Sequence, residues 1–427
     1  MTIRPSFEEA GWAFTAEDGA GVGAALTSFL RSRPSAPHLL GLGEPMHGEE
    51  AFPRLRNRMF RHLVEHEGYR SIALESSCLA GLTVDAFVAG GAGSLDDVMR
   101  QGFSHGWGAS DANRDLVAWM REANRDRPPA ERLRFFGFDA PTEITGADSP
   151  RWALTALHRY LATHLDADLL PCGADTIARL AGDDERWTDP AAALDPARSV
   201  GSSPEVTELR RVTDDLLALL MAESPRLVAA TSRDDWWLAS LHGQTAVGLL
   251  RYHAAMADPS PARMNRLMVV RATMMAGNLL AIADNQAQRG PTLVFANNSH
   301  LQKDRSRLRL APGWVPEEGR VLEWWSAGAI AGTHLGDGYA VITSALGAAP
   351  QHGIDPPPVD TLEGRLSALP DSHYLLAAEP LAAALAGRDG GLRQRTGNLN
   401  YSPLDPGSLD GTDAVIFHKH IAPRAVP

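Results

Sequence analysis

Cysteine is nearly absent: Cys78 and Cys172 are the only two in 427 residues. Two thiols cannot build a disulfide framework, and their separation matches no zinc-site spacing. There is also no Lys/Arg block. With 52 acidic residues against 40 basic ones, the formal net charge is −12, which argues against phosphate-backbone binding and so against a nucleic-acid partner. No run approaches the ~18 apolar residues of a membrane span. The first eleven residues carry Glu8 and Glu9 and no apolar core of signal-peptide length. The expected compartment is therefore the cytoplasm, with no membrane partner. The G-x-S-x-G elbow of serine hydrolases, the H-E-x-x-H pair and the Walker A loop are missing. Gly19 to Ala24 (GAGVGA) has the glycine spacing of a dinucleotide loop, but it follows Glu17-Asp18 instead of a strand. Nothing calls for a cofactor. His47 and Glu50 stand one helical turn apart, yet no further residues complete a strong ligand set, so no metal is expected.

What is present is an ordinary globular composition, 44% hydrophobic and 22% charged, which makes wholesale disorder unlikely. Short apolar runs at 38–43, 71–74, 133–138, 292–296, 339–343, 373–377 and 414–417 read as strands. Apolar residues at i, i+3, i+4 spacing predict helices over 52–64, 116–123, 153–165, 206–222, 235–255 and 263–288. Strands that alternate with helices argue for βαβ units and a parallel sheet covered on both faces. The expected fold is three-layer α/β with a mainly parallel central sheet and a helical insertion. Residues 1–150 would form the N-terminal half of the core, 151–290 the insertion lining one wall of a cleft, and 291–427 the C-terminal half. Within the insertion, 184–204 is rich in Pro, Asp and Ser and reads as a loop, as does 347–358.

Ligands of open parallel sheets bind beyond the carboxyl ends of the strands, and here those ends are polar. They read Gly43-Glu44 followed by Pro45-Met46-His47, Glu75-Ser76-Ser77, Asp139, Asn297-Asn298-Ser299-His300, and His418-Lys419-His420. His418 and His420 read as edge-strand residues. Arg56 lies in the row Phe52–Arg56–Phe60, and Arg271 in the row Leu267–Arg271–Met275 with Asn278 two turns on. A guanidinium in an apolar row needs a partner, because an unpaired buried charge is costly. The acidic strand ends are the natural partners, and an arginine there can also meet a substrate oxyanion.

The segment from Gly41 to Glu50 (GLGEPMHGEE) resembles the G-E-x-x-H-G motif of the erythromycin esterase family, which includes succinoglycan-biosynthesis relatives. The resemblance runs on through Arg54-Leu55-Arg56, Ala73-Leu74-Glu75, Trp119-Met120-Arg121 with Asn124, and Phe136-Gly137-Phe138-Asp139. Arg271 to Asn278 is similar to the family's R-D-x-x-M-A-x-N helix, and Ala296 to His300 to its A-H-N-x-H motif. The resemblance implies a three-layer α/β fold and ester or lactone hydrolysis by water without a serine nucleophile. It makes His47 the general base, Glu44 and Glu75 the carboxylates that orient it, and Arg56 a neighbour in the cleft. His300 joins these as a catalytic candidate, with Asn297, Arg271, Asn278, Asp139 and His105 as candidate substrate-binding residues. Two positions depart from the family: Asn297 replaces a histidine and Ala272 an aspartate. Asparagine cannot transfer a proton near neutral pH, although it can hydrogen-bond. Three readings follow: a hydrolase acting on a natural-product ester or lactone, a cyclase, dehydratase or acyl-transfer enzyme of secondary metabolism on the same scaffold, and an inactive small-molecule binding or resistance protein. Nothing in the sequence fixes the oligomeric state.

Overall fold

The computed structural model describes residues 6–143, 146–193, 195–309, 320–386, 391–398 and 401–422. The strands are β1 (Gly11–Phe14), β2 (Leu39–Glu44), β3 (Ser71–Ser77), β4 (Arg134–Asp139), β5 (Thr142–Glu143), β6 (Gly146–Ala147), β7 (Thr292–Asn297), β8 (Arg305–Arg309), β9 (Val321–Trp325), β10 (Tyr339–Ala348), β11 (His373–Ala377) and β12 (Ala414–His420). Eight of them form one sheet in the order β1-β11-β12-β10-β2-β7-β3-β4. The six from β12 to β4 run parallel; at one edge β11 pairs antiparallel with β12, and β1 antiparallel with β11.

Every residue of β2, β3 and β10 is buried, as expected of a parallel sheet covered on both sides. Side chains alternate between the two faces. Leu40, Leu42, Ile72, Leu74, Leu293 and Phe295 pack on one side with Phe52, Leu55 and Phe60 of the helix Ala51–His66. Leu39, Ala73, Val294 and Ala296 pack on the other with Met275, Ala276 and Leu279 of the helix Arg263–Gln286. These are the three layers anticipated from the pattern.

Between β6 and β7 the chain is helical. The helices Arg151–His164, Pro204–Ala222 and Arg233–Met256 share a core of their own around Leu157, Leu209, Leu216 and Leu250. The 184–204 stretch differs from the loop expected. It folds into short 3-10 turns at Asp184–Arg186, Pro190–Ala193, Pro196–Arg198 and Val200–Ser202 around the buried Trp187. Residue 194 lies outside the described residues. In the 347–358 stretch, expected as a loop, the described backbone makes one 3-10 turn, Pro350–His352, closed by an Ala349–Ile354 bridge. The helix Arg263–Gln286 contains an 18-residue window of mean hydropathy 1.4, which is apolar enough for a membrane span and more so than the sequence reading allowed. Its apolar face is used inside the fold, against the sheet and the helix Arg233–Met256.

His418 departs from the edge position expected of it. β12 lies between β11 and β10, two strands in from the edge strand β1, and His418 is buried. It pairs across strands with His373, the ring centroids 5.2 Å apart, and Phe14 and Phe52 flank the two rings. Among the described residues, His418 Nε2 and His373 Nδ1 are buried without hydrogen-bond partners. Burial pushes both imidazoles down, His418 well below the usual histidine value. The unfolded chain takes up these protons as pH falls through about 6.5 while the folded state resists, so each group costs stability on the acid side. Comparing urea unfolding at about pH 7.5 and about pH 5.5 should show that His418→Met loses less stability than the wild type over this window. The difference should be on the order of 1 kcal/mol. Equal losses in the two proteins would mean that His418 titrates alike folded and unfolded.

Candidate active site

At the carboxyl end of β2 the chain leaves the sheet at Glu44 and turns through Gly48, whose φ of +80° lies in the left-handed region that favours glycine. It then enters the helix Ala51–His66, where Glu49 Oε1 accepts the Ala51 N–H. This loop is clamped from three directions. Ser402 N–H donates to the Pro45 carbonyl, His352 Nε2 meets Glu49 Oε2 at 2.8 Å, and Ala112 N–H donates to Glu50 Oε2. Glu50 thus anchors a neighbouring helix instead of facing His47 as a ligand. Among the described residues, no group of three His, Cys, Asp or Glu side chains is arranged to hold a metal ion.

His47 projects from the clamped loop with 48% of its side chain exposed. Nδ1 lies 2.6 Å from Oε1 of the buried Glu44, and Nε2 lies 3.9 Å from Glu75 Oε1. Burial lowers the His47 value, but the Glu44 hydrogen bond and the charges of Glu75 and Glu44 outweigh it and the net displacement is upward. Burial raises Glu44, and its bond to His47 only partly opposes this. The two therefore form a tightly coupled pair around one proton.

Glu75 sits at the centre of the cluster. Its Oε2 accepts the Asn297 backbone N–H at 2.8 Å, and its Oε1 meets His300 Nε2 at 3.1 Å and Arg271 Nη2 at 3.5 Å. Burial would raise this carboxyl, but His300, His47 and Arg271 together hold it well below the usual carboxylate range. Glu75 is a fixed anion and a poor proton acceptor. Arg271 also binds Asp139 through two bonds, Nε to Oδ1 at 3.1 Å and Nη2 to Oδ2 at 2.6 Å. His105 bridges Asp139 Oδ2 at 2.9 Å and Glu143 Oε1 at 2.8 Å. Burial opposes charging of this ring, yet the two carboxylates prevail and raise it to about 9. The Asn297 side chain caps the one-turn helix Asn298–Leu301, its Oδ1 accepting from the Ser299 N–H and hydroxyl.

The structure brings together Glu44, His47, Glu75, Asp139, Arg271, His105, Asn297 and His300. Two expectations need correction. Arg56 is buried at the floor of a recess beside Glu44 and Glu75, but its hydrogen bonds go to neutral amides, Asn57 Oδ1 and Asn113 Oδ1, and its guanidinium lies over the Phe295 ring. With no carboxylate in contact among the described residues, burial lowers it to about 9. Asn278 does not face the cleft, because its amide donates to the Phe138 carbonyl and ties its helix to β4. The sequence reading missed Trp107, which meets the His47 ring edge-on at 5.1 Å, and the residues Asn113 and Glu143. The one available signal was the unusual run Gly102 to Gly108 (GFSHGWG), which sets histidine and tryptophan among glycines.

The model of the erythromycin esterase family matches residues 64–421. This chain belongs to that family. The match begins in the last turn of the helix Ala51–His66, beyond Glu44 and His47. Three solved structures share the fold of this erythromycin esterase family member. A succinoglycan biosynthesis protein superposes with a TM-score of 0.68 at 15% identity, over 97% of this chain and 95% of that one. A variant of the erythromycin esterase EreC in its open conformation gives 0.65 at 16%, over 94% of each. A Bacillus cereus protein gives 0.63 at 14%, over 94% of this chain and 98% of that one. Some motif residues of the family are structural here. Asn124 bonds the Val88 and Leu133 backbone, and Arg121 bonds the carbonyls of Phe87 and Gly91. Ala272, where the family motif has aspartate, is buried among Leu249, Met268 and Leu322. An acidic side chain there would be costly without a partner.

Proposed function

We propose that this protein hydrolyses an ester or lactone of a small natural product in the cytoplasm, with His47 as general base. The observation that carries the reading is the accessible His47 ring held at Nδ1 by a buried carboxylate. Glu44 accepts the Nδ1 proton and leaves Nε2 to take one from water. Nε2 and Glu75 Oε1, 3.9 Å apart, can share one water lying off the line between them. Hydroxide adds to the acyl carbon, the tetrahedral adduct expels the alkoxide, and His47 returns its proton to the leaving oxygen. The products are an acid and an alcohol. Arg56 contributes through its charge beneath the recess, offsetting the developing oxyanion. The same reading needs no metal: the Glu75 oxygens are committed to Arg271, His300 and the Asn297 N–H, and His47 Nδ1 to Glu44. Protein treated exhaustively with a chelator should release acid and alcohol from an aryl ester at the untreated rate. Loss of activity that stoichiometric zinc or manganese restores would overturn this.

Asn297 favours a second reading, in which the same base drives a cyclisation, elimination or acyl transfer. Its carbonyl oxygen is committed to Ser299, and the side chain cannot shuttle protons as a histidine would. Asn297→His should then shift products from the non-hydrolytic toward the hydrolytic one. An unchanged product ratio would show that this substitution has no mechanistic weight.

A further inference from the structure

His105 is the only non-glycine residue with positive φ among the described residues, at +53°, and Gly106 follows at +75°. Side chains with a Cβ disfavour this region, and strain of this kind persists only where surrounding contacts enforce it. Here the contacts come from the ring. Both imidazole nitrogens face carboxylate oxygens, Asp139 Oδ2 and Glu143 Oε1. Since carboxylates only accept, two such partners require two N–H donors, which defines an imidazolium. Among the described residues, Arg271 shares Asp139 with the ring, the Tyr252 hydroxyl donates to the Glu143 carbonyl, and the Glu143 charge helps to raise the Asp148 carboxyl.

The turn that carries His105 reaches both halves of the site. On one side Ser104 exchanges hydrogen bonds with Ser76 and Ser77, the residues that directly follow Glu75. His105 binds Asp139, which holds Arg271, and Arg271 reaches Glu75. On the other side Trp107 covers the edge of His47. The Trp107 carbonyl accepts from Asn113, whose side-chain oxygen accepts from Arg56. A doubly bonded cation therefore pins the turn that sets both the anion beside His47 and the aromatic cover over it.

We propose that His105 is a positioning residue: by joining Asp139 to Glu143 across the 104–107 turn, it keeps Arg271 on Glu75 and Trp107 on His47. The proposal rests on the reading of His47 as the reactive base, but it can be tested without turnover. Removing the ring frees Asp139 to draw Arg271 away from Glu75, and the less neutralised Glu75 then favours the His47 imidazolium. Withdrawal of Trp107 rehydrates the ring and acts in the same direction. His105→Gly suits the left-handed backbone and removes the side chain with its ring. His105→Asn also tolerates that backbone and retains one donor nitrogen in place of two. The measurement is carbethoxylation of His47 by diethylpyrocarbonate, followed by peptide mass mapping as a function of pH on the full chain. In a folded His105→Gly protein the midpoint should move up by about half a pH unit or more, with His105→Asn between it and wild type. A wild-type midpoint in folded His105→Gly would overturn the proposal and leave His105 as a turn residue only. A parallel ester assay should show kcat reduced about tenfold with little change in KM. An inactive wild type would count against the hydrolase reading, and carbethoxylation would still decide the role of His105.

Discussion

Asp139→Ala should destabilise the protein by about 3–5 kcal/mol, measured by urea unfolding near neutral pH. Asp139 is completely buried at the end of β4. It accepts two bonds from Arg271, one from His105 and one from the Ala140 N–H. Burial alone would raise its carboxyl, but Arg271 and His105 reverse this and hold it below the usual value. Deleting the carboxylate leaves a guanidinium with 11% of its side chain exposed and an imidazolium with 15% facing each other without their shared anion. Glu75, at 3.5 Å from Arg271 and already engaged by His300 and Asn297, compensates poorly. The sign of the pH dependence follows from the depressed carboxyl. Its contribution is present above the unfolded value, about 3.9, and is lost as pH falls through the folded one. Adding Arg271→Met to Asp139→Ala should recover part of the loss, because it removes one stranded charge. A loss under about 1 kcal/mol would instead give the cluster the energetics of exposed ion pairs.

The sheet was legible in the sequence because its strands are buried on both faces. Leu39–Glu44 is apolar until Glu44, and in Ser71–Ser77 the apolar Ile72-Ala73-Leu74 gives way to Glu75-Ser76-Ser77; that contrast marks both a strand and a rim. The elements not recognised lack it. β8 reads RSRLR, β1 is a four-residue edge strand, and the helix Gly19–Ser32 is rich in glycine, with Asp18 capping its first turn. Within the candidate site, Glu44 and His47 are three residues apart, so local spacing shows them together. The remaining partnerships join distant positions. Arg56 finds Asn113, His105 finds Asp139 and Glu143, and Arg271 spans 132 residues to Asp139. Periodicity could show that Arg56 is buried and needs a partner. It could not show that two neutral amides and an aromatic face would serve in place of a carboxylate.

His47→Ala should reduce kcat for ester hydrolysis by about 10²–10⁴, the usual worth of a positioned general base. The fold should survive, because nearly half of this side chain is exposed and the stranded Glu44 carboxyl, raised by burial, can take up a proton. The wild-type pH profile should carry the signature of the same group. The neutral ring is the active form and His47 is displaced upward, so the rate should climb with pH through a value above about 6.5. That limb should be missing from whatever activity His47→Ala retains. The most direct measurement is the initial rate of acid release from an activated ester by wild type and His47→Ala across this pH range, with both proteins shown to be folded. A large loss of rate together with the limb is the predicted result. Undiminished hydrolysis by His47→Ala, with the wild-type pH profile, would contradict the assignment of His47 as the base.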